Sequence, residues 1–165
     1  MSKIKMNYHL FITQPRVGSN FLVDSMNSSP ELINFGDVLF KWAIPYKAYK
    51  LFNPIKGNPD YFNNIDYFEW LYKKNRLVFY FCKAYELKVN LVGKKKYIGA
   101  GITFRGKKYR NIKTIGVKEH YTHSRTQEVL SKIIPRDNSY SVITLSRKNL
   151  LQQYVSTQHA FASKQ

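Results

Sequence analysis

The chain has 165 residues, 44% of them hydrophobic, with 27 Lys and Arg against 10 Asp and Glu and a net charge of +17. This is enough for one modest domain with a real core, which excludes a disordered polyelectrolyte; the charge favours polyanionic partners such as nucleotides, nucleic acid, anionic glycans or a membrane surface. A single cysteine, Cys82, excludes an internal disulfide and most structural zinc sites, and no apolar run reaches the ~18 residues of a membrane span.

The opening "MSKIKMNYHLFI" has lysines but no small-residue cleavage site, and Asn7 and His9 interrupt it. A soluble, cytoplasmic protein without a secretory signal is expected. His9 to Thr13 read as a short buried strand. Pro15 turns the chain, and Gly18 opens a helix to about Asn27, with Phe21, Leu22, Ser25 and Met26 at helical spacing. "SSPEL" breaks that helix, and "LINFG" reads as a second short strand. Residues 41–64 hold Pro45, Pro54 and Pro59 between aromatic residues, so an irregular insertion or lid is expected. Asn64 is a candidate N-cap for a long helix over "NIDYFEWLYKKNRLVFYFCKAYELK". Its aromatic stripe reads as core, and Cys82 within it as an inert buried thiol.

"KKKYIGAGITFRGKKYRN" alternates and contains glycines, which predicts a basic hairpin. "IKTIGVKEH" reads as a core strand, "SRTQEVLSKII" as a helix capped by Ser124, and "YSVITLS" as a further strand. "KNLLQQYVSTQHAFAS" reads as an amphipathic helix with Leu151, Tyr154, Val155 and Ala162 along one side. The order is strand–helix–strand, a helical insert, then strand–helix–strand–helix. It predicts an α/β fold with a mainly parallel sheet, one domain over residues 1–165 with an insertion at about 41–110.

Ligands in such sheets bind where strands end and helices begin. There the free N–H groups and the dipole of a helix favour a phosphate or sulfate. "PRVGSN" suits that place. Gly18 lets an anion approach the backbone, Ser19 and Asn20 can donate from their side chains, and Arg16 is a planar, permanent cation. The G-x-x-x-x-G-K-[ST] spacing of a nucleotide-binding P-loop is absent, and a plain turn and cap fits the same residues. "SVITLSRKNLLQQYVSTQHA" repeats the arrangement: a strand ends at Ser146, Arg147 and Lys148 follow, and Ser156 lies on the next helix. Two such junctions suggest a ligand with two separated phosphate-like groups.

Taken together, the two segments resemble the sulfotransferase family. "PRVGSNFLVDSMNSSPELINFGD" is similar to its 5′-phosphosulfate loop, and "VITLSRKNLLQQYVSTQHA" to its 3′-phosphate segment. The carbohydrate and nodulation-type branch is nearest in character, and "KTIGVKEHY" is similar to a central strand that often reads Gly-Phe-Lys there. Val17 stands where the family usually has Ser, and Asp37 where Glu is common. Family members usually continue further beyond the serine, so a truncated C-terminus is expected.

The resemblance implies a P-loop-like three-layer fold and 3′-phosphoadenosine 5′-phosphosulfate as donor, with no metal. It places Arg16, Val17, Gly18, Ser19, Asn20 and Phe21 around the 5′-phosphate and Arg147 and Ser156 on the 3′-phosphate. Arg16 would also neutralise the leaving group. The acceptor would be a hydroxyl of a carbohydrate or similar molecule, anionic ones included. Asp37, in the Gly-Asp after the second strand, is the candidate general base, though a turn Asp fits as well. His120 and His123 are alternative bases; as an isolated H-x-x-H they otherwise read as structural or surface histidines.

Two other functions stay open. One is a sulfotransferase-like protein that binds the donor nucleotide without turnover. The other is a basic nucleic-acid-binding protein that would use Lys94–Lys96, Arg105, Lys107, Lys108 and Arg110 with Tyr97, Phe104 and Tyr109 interleaved.

Overall fold

A computed structural model describes residues 6–15, 17–58, 60–91, 104, 106–133, 140–146, 148–149, 152, 155 and 158. Among the sequence-predicted site residues, Arg16, Arg147 and Ser156 lie outside the described residues, as do Lys94–Lys96, Tyr97 and Arg105. The elements in chain order are β1 (Asn7–Thr13), α1 (Ser19–Ser28), β2 (Leu32–Asn34), α2 (Ile44–Phe52), α3 (Asn64–Lys73) and α4 (Asn75–Leu91). A 3₁₀ turn (Tyr109–Asn111), β3 (Thr114–His120), α5 (Ser124–Lys132) and β4 (Tyr140–Leu145) follow. None of the described helices is long and apolar enough to cross a membrane.

The four strands form one sheet in the order β2-β3-β1-β4. Every pairing is parallel, so the fold is α/β. The crossover from β1 to β2 runs one way across the sheet, and that from β3 to β4 runs the other. Right-handed crossovers therefore put α1 and α5 on opposite faces, and β2 to β3 sends α2–α4 to the α5 face.

Strand alternation divides the side chains accordingly. Leu10, Ile12, Ile115 and Val117 join Tyr49, Tyr67, Phe68, Leu71, Tyr72 and Phe79 in the main core. The buried phenols have partners: Tyr72 donates to His9 O at 2.9 Å and Tyr67 to Val38 O at 3.0 Å. Burial raises both phenol pKa values, which keeps them donors. On the α1 face, His9 sits over Gly116, its partner in register. A Cβ at Gly116 would lie 2.1 Å from His9 Nε2, so only glycine leaves room for the imidazole.

Several local expectations are corrected. Residues 41–64 are not wholly irregular: α2 lies within them, with Pro45 in its first turn, where a missing N–H costs no intrahelical bond. The predicted long helix is two, α3 and α4, and the cap of the first is Asn63 rather than Asn64, its Oδ1 accepting from Ile65 N and Asp66 N. The inward face of α1 is Ser19, Val23 and Asn27, whereas Phe21 is 79% exposed. The cap of α5 is His123, with no side-chain capping bond, and not Ser124. The described end of the expected hairpin is a turn at Gly106 and the 3₁₀ segment, with no strand. Phe104 there is buried in the core.

Candidate functional site

The carboxyl ends of β1 and β3 lie side by side, with Thr13 opposite His120. Three segments converge there: the turn into α1, the loop after β2, and the end of β3. Alternation along β3 sends Lys118 and His120 to the α1 face and Glu119 to the other. Lys118 and Glu119 thereby hold the loop after β2 from both sides.

On the α1 face, the Lys118 ammonium is 3% exposed and lies 2.8 Å from Asp37 Oδ2. It also donates to Asn20 Oδ1, in the first turn of α1, at 2.8 Å. On the opposite face, Glu119 Oε1 accepts from Val38 N at 2.6 Å and Leu39 N at 2.7 Å. Burial raises the Glu119 carboxyl to about 8, against the opposing pull of the two backbone bonds. Arg125 donates to Leu39 O at 2.8 Å, and Tyr67 already holds Val38 O. Four side chains thus fix residues 37–39.

Asp37 Oδ1 is buried with no hydrogen-bond partner among the described residues. His120 Nε2 stands 3.6 Å from it, and His120 Nδ1 lies 3.2 Å from Thr13 Oγ1. Burial lowers the His120 pKa, opposed by Asp37. The structure therefore gathers Lys118, Asp37, His120 and Asn20 at one strand end.

The start of α1 leaves its N-terminal N–H groups without a side-chain cap. Its N-cap is Gly18, at φ 86°, with no side-chain capping bond and no acid in the first turn. A Cβ at Gly18 would meet nothing within 4 Å, so the approach to the helix N-terminus is open. Of the predicted residues, Val17, Gly18, Ser19, Asn20 and Phe21 all lie at this junction. Ser19 is buried, and Phe21 points to solvent. The end of β4 is on the same side, because Leu145 pairs with Thr13; Lys148 follows it, exposed.

The two segments that carry the Asp37–His120 pair continue into the walls of one pocket. Its volume is about 540 Å³. Phe40 stacks on Trp42 at 5.1 Å, and His123 meets Phe40 edge-on at 4.8 Å. Lys41 and Arg125 supply the charge of this lining, which includes no acid.

Sequence reasoning missed Lys118, Glu119 and this pocket. The available signal was the adjacent Lys-Glu pair inside "TIGVKEH". Charges in the middle of a buried strand are rare without a partner and cluster at working sites.

Among known proteins, the chain matches no family model, no curated protein and no solved structure.

Proposed function

We propose that this protein transfers a sulfuryl group from 3′-phosphoadenosine 5′-phosphosulfate to a hydroxyl of a carbohydrate or similar acceptor. The observation that carries the reading is the junction of an open, uncapped helix N-terminus with the Lys118–Asp37–His120 cluster. The donor supplies an activated sulfuryl group and a phosphate leaving group. The N–H groups of Ser19, Asn20 and Phe21 bind the 5′-phosphate, helped by the α1 dipole. Arg16 neutralises the charge that grows on the bridging oxygen. Lys118, tethered to Asn20 and Asp37, holds the phosphate end and the base in register. Arg147 and Ser156 take the 3′-phosphate.

The acceptor enters through the Phe40–Trp42 pocket. Asp37 Oδ1 takes the proton of its hydroxyl. The acceptor oxygen bonds to sulfur as the sulfur–oxygen bond to the leaving phosphate breaks, releasing adenosine 3′,5′-bisphosphate. Catalysis is then positioning and charge stabilisation by groups held in advance.

Calorimetry with adenosine 3′,5′-bisphosphate against AMP tests donor recognition without an acceptor. The bisphosphate should bind at least about tenfold more tightly, as one charge-assisted contact contributes about 1.5–3 kcal/mol. Arg147→Ala should erase most of that preference. Equal affinity for the two nucleotides would overturn the donor assignment. With an active acceptor, Asp37→Asn should lose about 10²–10⁴ in transfer per nucleotide-bound molecule, beyond any weakening of nucleotide binding that follows from the lost ion pair with Lys118. Tight bisphosphate binding with no transfer to any acceptor would favour a nucleotide binder without turnover.

A further inference from the structure

The opposite end of the molecule carries a second feature that the transfer reaction does not use. At the amino ends of the strands, the start of α4 and the 3₁₀ turn before β3 flank a groove of about 380 Å³. Its floor is aromatic. Tyr80 and Tyr109 lie 6.2 Å apart, inclined by 37°. Tyr80 is 49% exposed, and Tyr109 is anchored by donating to Asn75 Oδ1.

The rim is cationic, and its charges divide into two kinds. Lys107 is buried, and its ammonium donates to Ser29 O and Leu32 O. Lys83 donates to Lys107 O at 2.7 Å. These two are structural. Arg76, Lys108 and Arg110 are exposed and form no ion pair among the described residues. The Arg76 guanidinium lies over the Tyr109 ring at 5.9 Å. α4 and residues 106–113 together carry seven Lys and Arg and one acid, Glu86. That acid is buried, accepts from Phe104 N at 2.9 Å and lines a neighbouring pocket rather than this groove.

We infer that this groove binds single-stranded nucleic acid. Cations with no ion pair among the described residues, beside the exposed Tyr80 ring and the half-buried Tyr109 ring, suit a chain that alternates phosphates with flat bases: the cations take the backbone and the rings stack the bases. An anionic glycan would use the same cations, but it has no aromatic base to stack on Tyr80. The surface is separate from the donor site, which lies at the other end of the sheet, so the inference does not depend on the transfer reaction.

The test is fluorescence anisotropy with a labelled oligothymidine, at several salt concentrations, on the full chain. The wild type should bind, and excess adenosine 3′,5′-bisphosphate should not displace the oligonucleotide. Combined Arg76→Ala, Lys108→Ala and Arg110→Ala should weaken binding and flatten the salt slope by roughly 2, about 0.7 for each phosphate contact. Tyr80→Ala should weaken it roughly tenfold by removing a stacking ring. All four positions are at the surface, and unchanged thermal melting confirms that each variant is folded. Unchanged affinity in the triple variant, or displacement by the bisphosphate, would overturn the inference. Tighter binding of a sulfated oligosaccharide of equal charge, insensitive to Tyr80→Ala, would make the groove a glycan site instead.

Discussion

Single atoms on the α1 face decide how the central strands fit. Asn34 Oδ1 accepts from Gly36 N, so its Nδ2 is the group that donates to His9 Nε2. His9 therefore carries its proton on Nδ1 and is neutral, in line with burial that lowers its pKa to about 4. The ring fits only because position 116 has no side chain. Gly116→Ala should destabilise the fold by about 1–3 kcal/mol, the usual cost of overpacking a filled interior. Urea denaturation measures the loss, and pairing Gly116→Ala with His9→Ser should recover part of it. An additive pair would show that the two residues do not compete for the same space. Lys118 and Asp37 show a related dependence. Removing one member of a buried ion pair leaves the other uncompensated, and Lys118→Met should damage the loop after β2, and the proposed nucleotide binding with it.

At the scale of elements, the sequence was legible wherever hydrophobic period matched burial. β1, β3 and α5 fall where their patterns predict them; β4 does too, although its residues are exposed or half-buried, because it pairs in register with β1. The misses share a cause, which is a polar or constrained residue that satisfies backbone groups from another element. Asn27 faces inward because it bonds both the N–H and the C=O of Asn34, at 2.7 and 3.0 Å. It thus completes the pairing of a short edge strand, which apolar periodicity does not register. Lys107 read as a cation for nucleic acid, yet it is buried and donates to Ser29 O, just after α1, and Leu32 O, at the start of β2. Pro45 read as a breaker, yet it begins α2. At the candidate site, Asp37 and the Gly18 junction were legible from local spacing. Lys118 and Glu119 acquire their roles only when β3 pairs between β1 and β2. The entry to α1 gives a test of its own. Gly18 has a left-handed backbone with open space around it, so substitution there meets conformational strain alone. Gly18→Ala should cost roughly 1–2 kcal/mol, whereas Gly18→Asn should cost less because Asn tolerates that conformation. Thermal melting of the two variants checks the order, and equal losses would count against strain as the cause.

For the whole molecule, two buried groups make stability depend on pH in opposite directions. Unfolded His9 titrates near 6.5 and folded His9 near about 4. Between those values the unfolded chain binds more protons, so stability falls as pH drops. His120, also lowered by burial, acts in the same sense. Glu119 does the reverse: unfolded it titrates near 4.5, and folded it keeps its proton to about 8. Its contribution is complete at low pH and is lost as pH rises through that window. The two slopes oppose each other between about 4.5 and 6.5, and of this pair only Glu119 titrates from there to about 8. The urea midpoint should therefore be highest in mildly acidic buffer and should decline toward pH 8. Glu119→Gln retains an acceptor for Val38 N and Leu39 N but has no proton to lose, so its midpoint should be flat over the upper range. A wild-type decline that persisted unchanged in Glu119→Gln would assign the titration to another group. If instead the wild-type midpoint stayed level to pH 8, Glu119 would be ionised in the folded protein, and the clamp on residues 37–39 would be a charged one at neutral pH.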